Sequence, residues 1–203
     1  MTAPGIVVII VGYFLGGLPI GVLVARSKGV DLFKVGSGNV GTTNVIRALG
    51  FKYGILTWLG DVGKGLVAAL VAKMLGQPEA VVAAVGLAAI LGHCFSPFLH
   101  LRGGRGIATG LGVLLAIDWR VGTLAFSVWI VVVLASRLVS LASLAAAASL
   151  LPLMVWLHPT DPMIVLGGSM ACIVFIRHKP NLDRLLRGEE HKFGSRKKEG
   201  EEQ

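Results

Sequence analysis

The chain has 203 residues, of which 54% are apolar and only 15% charged, and its mean hydropathy is +0.77. A soluble domain carries about 25% charged residues, so this composition excludes an ordinary soluble fold and points to a polytopic membrane protein. The net charge of +8 then has to be read by position rather than as a sum. Cys94 and Cys172 lie in apolar runs without a C-x-x-C partner and read as small core residues.

Seven apolar segments follow one another at about 4–25, 53–75, 79–99, 107–117, 119–136, 138–157 and 161–176. A run near 20 residues is long enough to span a bilayer as a helix. The first lacks a basic leader and reads as a retained helix, not a cleaved signal. The fourth is short and is parted from the fifth only by Asp118-Trp119-Arg120, so it is either a half-helix or one arm of a hairpin. Gln77-Pro78 and His158-Pro159-Thr160-Asp161-Pro162 are turns. Gly12/Gly16, Gly17/Gly21 and Gly106/Gly110 have the small-xxx-small spacing of close helix packing. No internal repeat is visible.

The fold expected is an all-α polytopic membrane protein with seven transmembrane helices. Placing the N-terminus outside puts residues 26–52, 100–106, 136–137 and the tail from 177 on the inner, cytoplasmic side. These regions hold 16 of the 19 Lys and Arg, as the positive-inside rule requires. One domain, 1–193, is expected, followed by a charged tail at 194–203 without a fold of its own. Topology and anionic lipid explain much of this charge, but not the Gly, Ser, Thr and Asn interleaved with it. No nucleic-acid partner is expected.

Three inner loops carry candidate chemistry. In VGSGNVGTTNVIR, Gly36, Gly38 and Gly41 spell G-x-G-x-x-G. A dinucleotide loop needs a surrounding βαβ unit, which is absent here. The local physics remains: glycines allow a nest of backbone N–H groups around an anion, and Thr42-Thr43-Asn44 can open a short helix with its N-terminus toward one. Ser37, Asn39, Thr43 and Asn44 add neutral partners and Arg47 a planar fork. The second loop, Arg102-Gly103-Gly104-Arg105-Gly106, suits a phosphate equally, or is a tight turn with interfacial arginines. The third runs from Arg177 to Arg184 and spells H-x-x-x-x-D from His178 to Asp183. That spacing allows a histidine base oriented by an acid, although six residues match easily by chance.

Arg137 precedes Ser140 and Ser143, one helical turn apart on one face. Their alternative is i−4 bonding to the backbone. Asp61 and Lys64, at i, i+3 inside the second segment, are either a functional pair or a salt bridge supporting the loops. His93 reads as a buried histidine bonded to a neighbour. No metal-ligand spacing occurs among the histidines and cysteines.

The stretches GSGNVGTTNVIRALG, LGDVGKG, LGHCFSPFLHLRGGRGIATGLGVLL, SRLVSLAS and RHKPNLDRLLRGEEHKF, in this order and spacing, resemble the bacterial acyl-phosphate:glycerol-3-phosphate acyltransferase family across residues 1–193. The resemblance implies a seven-span inner-membrane enzyme with its active site on the cytoplasmic face. The implied reaction transfers a fatty acyl group from acyl phosphate to glycerol 3-phosphate, giving lysophosphatidic acid, the first acylation of phospholipid synthesis. It implies no cofactor, and a soluble enzyme that makes the acyl phosphate as a partner. By motif, the catalytic candidates are Ser37, Arg105, Ser143, His178 and Asn181. The phosphate-binding candidates are Gly38, Asn39, Gly41, Thr43, Asn44, Arg47, Arg102, Gly103 and Gly104. Asp61, Lys64, His93, Arg137 and Ser140 are read as structural support. The second motif is usually K-G-G-K-G, so Arg102 and Arg105 exchange point donors for forks. Asp183 is outside the family pattern, which weakens the dyad reading.

Both implied substrates are phosphorylated, and an acyl phosphate is a mixed anhydride that needs no covalent enzyme intermediate. Direct, substrate-assisted transfer is therefore the expected mechanism. A lipid-phosphate transporter is the alternative class, but such proteins place their sites at the midplane between inverted repeats.

Overall fold

The computed structural model describes residues 2–193; the expected tail at 194–203 lies outside the described residues. The long helices follow the apolar runs closely. The chain runs through α1 (Ala3–Gly17), α2 (Ile20–Arg26), α3 (Thr42–Leu49), α4 (Phe51–Met74), α5 (Glu79–Cys94), a 3-10 turn at Pro97–Leu99, α6 (Ile107–Ile117), α7 (Trp119–Ser136), α8 (Val139–Leu157), α9 (Asp161–Arg177) and α10 (Lys179–Leu186).

All seven apolar segments are helical. Five are long and apolar enough to cross a membrane, counting α1 with α2, and a sixth if α9 and α10, bent by 63° to each other, make one. The first segment is not one unbroken helix. Pro19 has no N–H to continue the ladder, and the chain breaks at Leu18–Pro19. The carbonyls freed there are satisfied from other helices. Ser96 Oγ donates to Gly17 O at 2.6 Å and Lys64 Nζ to Leu18 O at 2.8 Å.

The fourth segment is a half-helix. At eleven residues α6 is about 16 Å long, little more than half a bilayer's hydrocarbon of about 30 Å. It turns back into α7 through the single residue Asp118, and Gly122 packs on Leu115, so α6 and α7 form a tight hairpin. Asp118 Oδ1 caps α7 by accepting from Arg120 N–H at 2.9 Å.

The centre of the molecule is α5. Val85, Ala89 and Cys94 are fully buried, and α1, α4, α6 and α9 pack around the helix. Gly16 rests on the Ala89 backbone and Gly92 on that of Tyr13, so α1 and α5 touch main chain to main chain. The small-xxx-small glycines are therefore packing residues, as expected. The outward faces of α1, α7 and α9 expose Val11, Val131, Leu134 and Val165, an apolar girdle suited to lipid.

The turns segregate by end. At one end His158 bridges two others: Nε2 lies 2.6 Å from Glu79 Oε1 and Nδ1 3.5 Å from Asp118 Oδ2. Arg120 grips the Asp118 carboxylate with Nε and Nη2 at 3.0 and 2.7 Å. That bond, more than burial opposes it, holds the Asp118 carboxyl down at about 2. The opposite end gathers the three polar loops.

Candidate active site

A cavity of about 400 Å³ opens at that second end. Its mouth is polar, with Ser37, Asn39, Gly41, Thr43, Asn44, Arg47, Arg105, Ser140, Ser143, His178 and Asn181 on its wall. The structure thus brings the three loops and the α8 serines together. Asp61 and His93 also reach it. Gly38, Arg102, Gly103, Gly104, Arg137 and Lys64 do not line it.

The first loop is organised from within. Asn44, 2% exposed, accepts Ser37 N–H on Oδ1 at 2.9 Å and donates from Nδ2 to Leu32 O and Val35 O at 3.3 and 3.1 Å. Gly36 and Gly38 take φ of 58° and 67°, and a Cβ on Gly36 would collide with the Asn44 oxygen. Gly38 N–H goes to Val35 O and Gly41 N–H to Asn39 Oδ1. The expected anion nest is therefore corrected: the amides of Ser37, Gly38 and Gly41 are spent inside the loop, with Asn44 as its post. What faces outward is the start of α3, where Gly41 supplies no side-chain cap. Thr43 and Arg47, four residues apart, share one face.

The second loop is held from behind. Arg177 Nη2 donates to Gly103 O at 2.8 Å and Nε to Gly104 O at 3.0 Å, while Gly104 N–H donates to His93 O at 3.0 Å. Gly104 lies against the His93 ring. Gly103 and Gly104 are thus anchor points, and Arg102 is exposed away from the cavity; Arg105 alone of this loop's cations turns in. Behind it, Lys64 Nζ meets Asp61 Oδ1 within α4 at 2.9 Å, and His93 Nδ1 on α5, 3.6 Å from the same oxygen, links the two helices.

The third loop turns the corner from α9 to α10. His178, 2% exposed, bonds Val174 O through Nδ1 at 2.9 Å. A carbonyl only accepts, so the proton is on Nδ1 and Nε2 is left as an acceptor. Burial, and then the Arg105 charge, push His178 down to about 4, so it is neutral and a weak base. The H-x-x-x-x-D dyad is not formed. Asp183 is exposed and its Oδ2 is 3.3 Å from Lys179 Nζ. On α8, Ser143 Oγ donates to Val139 O at 2.8 Å and accepts Trp129 Nε1–H at 3.3 Å, the i−4 bonding weighed above.

Sequence reasoning missed Glu190, His191 and Phe193 and gave Arg184 of the third loop no role; all four also line the cavity. Glu190 accepts from Asn181 Nδ2 and Arg184 Nε, both at 2.7 Å. Burial would raise its carboxyl, but these bonds outweigh it and hold the group below its ordinary range. An acidic pair, Glu189-Glu190, set among basic residues was the available signal. Burial lowers Arg105 to about 10, with Arg184, Arg47 and Arg177 adding to the effect against Glu190. Among the described residues no hydrogen bond or ion pair holds Arg47 or Arg105. Such a surplus of unpaired guanidinium charge suits oxyanions.

Away from the mouth the wall becomes apolar: Ile55, Trp58, Leu111, Leu114, Phe126, Trp129, Leu150 and Met170. Trp58, Phe126 and Trp129 form an aromatic ladder with centroids 6.1 and 5.9 Å apart. The site joins an anion mouth to a hydrocarbon trough.

Residues 6–188 match the family model described as Glycerol-3-phosphate acyltransferase. A glycerol-3-phosphate acyltransferase of Rubrobacter xylanophilus is 45% identical over 94% of this chain and 96% of its own. One of Aquifex aeolicus is 44% identical over 91% and 97%. The crystal structure of PlsY (YgiH), an integral membrane glycerol 3-phosphate acyltransferase, in its glycerol 3-phosphate form superposes with a TM-score of 0.91 at 40% identity, covering 95% of this chain and 96% of that one. Its lysophosphatidic acid form gives 0.89 at 39%. This chain is a multi-pass membrane protein and belongs to the glycerol-3-phosphate acyltransferase family.

Proposed function

We propose that the protein transfers a fatty acyl group from acyl phosphate to the sn-1 hydroxyl of glycerol 3-phosphate, releasing lysophosphatidic acid and phosphate. The observation that carries this reading is the single cavity in which Arg47 and Arg105 stand at the mouth of an apolar trough. Glycerol 3-phosphate and acyl phosphate both need the first feature, and the acyl chain needs the second. The relatives' shared description supports the acceptor.

The donor's phosphate is already a good leaving group. The hydroxyl oxygen attacks the acyl carbon, the ester C–O bond forms, and the bond from acyl carbon to phosphate oxygen breaks. The departing phosphate takes the hydroxyl proton. A neutral histidine held near 4 is a poor general base at neutral pH, which favours this substrate-assisted route. His178 Nε2 then orients the hydroxyl as a hydrogen-bond acceptor. Arg47, Arg105 and the uncapped start of α3 hold the phosphates, with Ser37, Ser143 and Asn181 completing the wall. Most of the barrier reduction comes from alignment and charge stabilisation.

Seven spans, an outside N-terminus and an active site on the cytoplasmic face of the bacterial inner membrane fit the segregated turns and the basic loops. A soluble enzyme that makes acyl phosphate is the expected partner.

The test uses purified protein, palmitoyl phosphate and glycerol 3-phosphate, following phosphate release with and without acceptor. Acceptor-dependent release is expected. Transfer from acyl-CoA instead would overturn the donor, and no transfer from either donor by folded protein would overturn the reading.

A further inference from the structure

The cluster at the end opposite the cavity has no part in the proposed reaction. His158 closes α8, Glu79 begins α5, and Asp118 is the one residue between α6 and α7. Three turns therefore meet on one imidazole, with Nε2 2.6 Å from Glu79 Oε1 and Nδ1 3.5 Å from Asp118 Oδ2. A carboxylate only accepts, and a neutral imidazole has a single N–H. Neutral His158 would serve one carboxylate and turn a lone pair on the other. Imidazolium alone has a proton for each.

The other charges of these turns do different work. Arg120 grips Asp118 from within its own turn and adds one bond of 3.3 Å to Leu157 O. Lys73, at the end of α4, donates to Ala116 O and Ile117 O at 2.8 and 3.1 Å. Asp161 stands at the start of α9. Histidine is the side chain whose ordinary charge change falls between about pH 5 and 8, and His158 is the histidine of this cluster.

The imidazole joins two bodies. One is α4 with α6, which touch main chain to main chain where Gly65 rests on the Thr109 backbone and Gly112 on that of Val62. The other is α8 with α9, where Gly167 packs on Met154. At the cavity end, Arg105 stands just before α6, Ser143 lies in the first turns of α8, and α9 runs into His178. The cavity thus lies between the two bodies, and their spacing at the far end bears on the gap between Arg105 and His178.

We propose that protonated His158 is a pH-sensitive clasp that holds these two bodies together at the face remote from the active site, so that acid on that face promotes acyl transfer on the other. Loss of the ring proton turns an attraction to one carboxylate into a repulsion and loosens the three turns. In the proposed topology this face is the outer one. The effect on transfer rests on the reaction proposed above; the clasp itself does not.

Two measurements test the two parts. In detergent, Tm of the wild type and of His158→Gln is followed from about pH 5.5 to 8.5. The wild type should lose a few degrees relative to the variant as pH rises, because the stabilisation leaves with the proton. In proteoliposomes, palmitoyl phosphate and glycerol 3-phosphate are added outside at fixed pH. Charged glycerol 3-phosphate reaches only molecules whose cavity faces out, and their clasp then faces the lumen. Lowering lumenal pH from about 8.5 to 5.5 should raise kcat/KM roughly two- to fivefold, the effect of one partly exposed ion pair. His158→Gln should be flat. Glu79→Gln, which removes one of the two carboxylates, should flatten both profiles too and keeps the test open if His158→Gln folds poorly. A Tm difference indifferent to pH overturns the clasp. An intact Tm effect with a rate indifferent to lumenal pH, or a lumenal effect that persists in both variants, overturns its influence on transfer. No transfer by folded wild type would overturn the acyltransfer reading, with the clasp still decided by Tm.

Discussion

Arg177 holds Gly104 in place from the far side of the second loop: Nε donates to its carbonyl at 3.0 Å while Nη2 takes the Gly103 carbonyl at 2.8 Å. The guanidinium also lies over the Phe95 ring, 5.2 Å from its centroid. The sequence places Arg177 at the start of the third motif and assigns it no role. Its fork is instead consumed by backbone, so that Arg105, the residue after Gly104, is aimed into the cavity.

Arg177→Lys should keep the charge and lose the fork. A single ammonium cannot reproduce two parallel bonds, and charged hydrogen bonds contribute about 1.5–3 kcal/mol each. The expected result is a roughly 10- to 100-fold fall in kcat/KM, mostly in KM for glycerol 3-phosphate, with Tm lowered by a few degrees. Steady-state kinetics and thermal unfolding in detergent check it. An unchanged KM would mean that the loop holds its shape without Arg177.

Much of this arrangement was legible in the chain. Apolar runs located all seven helical segments, and the shortness of 107–117 left it as a half-helix or one arm of a hairpin; it is both. The loops met because the basic residues segregate to alternate turns. What was not legible depends on hydrogen bonds between residues distant in sequence. The amides of the first loop looked free because Asn44, seven residues from Ser37, gave no sign that it would fill them. Glu190 looked like tail charge because its role needs Asn181 and Arg184 folded back against it. The second partner of the Ser143 hydroxyl is Trp129, on another helix.

His178 should titrate far below an ordinary histidine. Its folded value is about 4 against an unfolded 6.5. A depressed folded value means that the unfolded chain binds more protons between those limits. Stability is therefore complete above about pH 6.5 and is lost as pH falls through 4, by roughly 3 kcal/mol from this group. NMR of labelled histidine in the substrate-free protein should place the midpoint near 4, identified by its absence in His178→Gln. The variant should also show a flatter Tm between pH 4 and 6.5. A midpoint near 6.5 would restore histidine as a candidate general base.

The Asp61–Lys64 pair should behave as a buried structural bridge. Nζ is shared between Asp61 Oδ1 at 2.9 Å and Leu18 O at 2.8 Å, where α1 and α2 part. Removing one partner strands the other charge, at about 3–5 kcal/mol. Asp61→Asn alone should sharply lower yield and Tm. The double variant Asp61→Asn, Lys64→Met should recover part of both, since no unpaired charge remains. A double variant worse than either single change would give the pair a role beyond mutual neutralisation.

The trough predicts where chain length is measured. Along α8, Ser143, Ala146, Ala147 and Leu150 face the cavity, the i, i+3, i+4, i+7 positions of one helix face. From Ser143 to Leu150 the helix rises about 10 Å, and the two alanines leave that length open. Ala147→Phe should fill the trough midway without touching the arginines at its mouth. The variant should lose palmitoyl phosphate as a donor by about tenfold or more while retaining octanoyl phosphate, since overpacking penalises only a ligand that reaches the new ring. Its KM for glycerol 3-phosphate should stay within about twofold, because a uniform change in acceptor binding would mean that the mouth had moved as well. Competition between the two donors in one reaction, read by mass spectrometry of the lysophosphatidic acids formed, gives the ratio directly. Equal loss of both donors would place the acyl chain elsewhere among the helices.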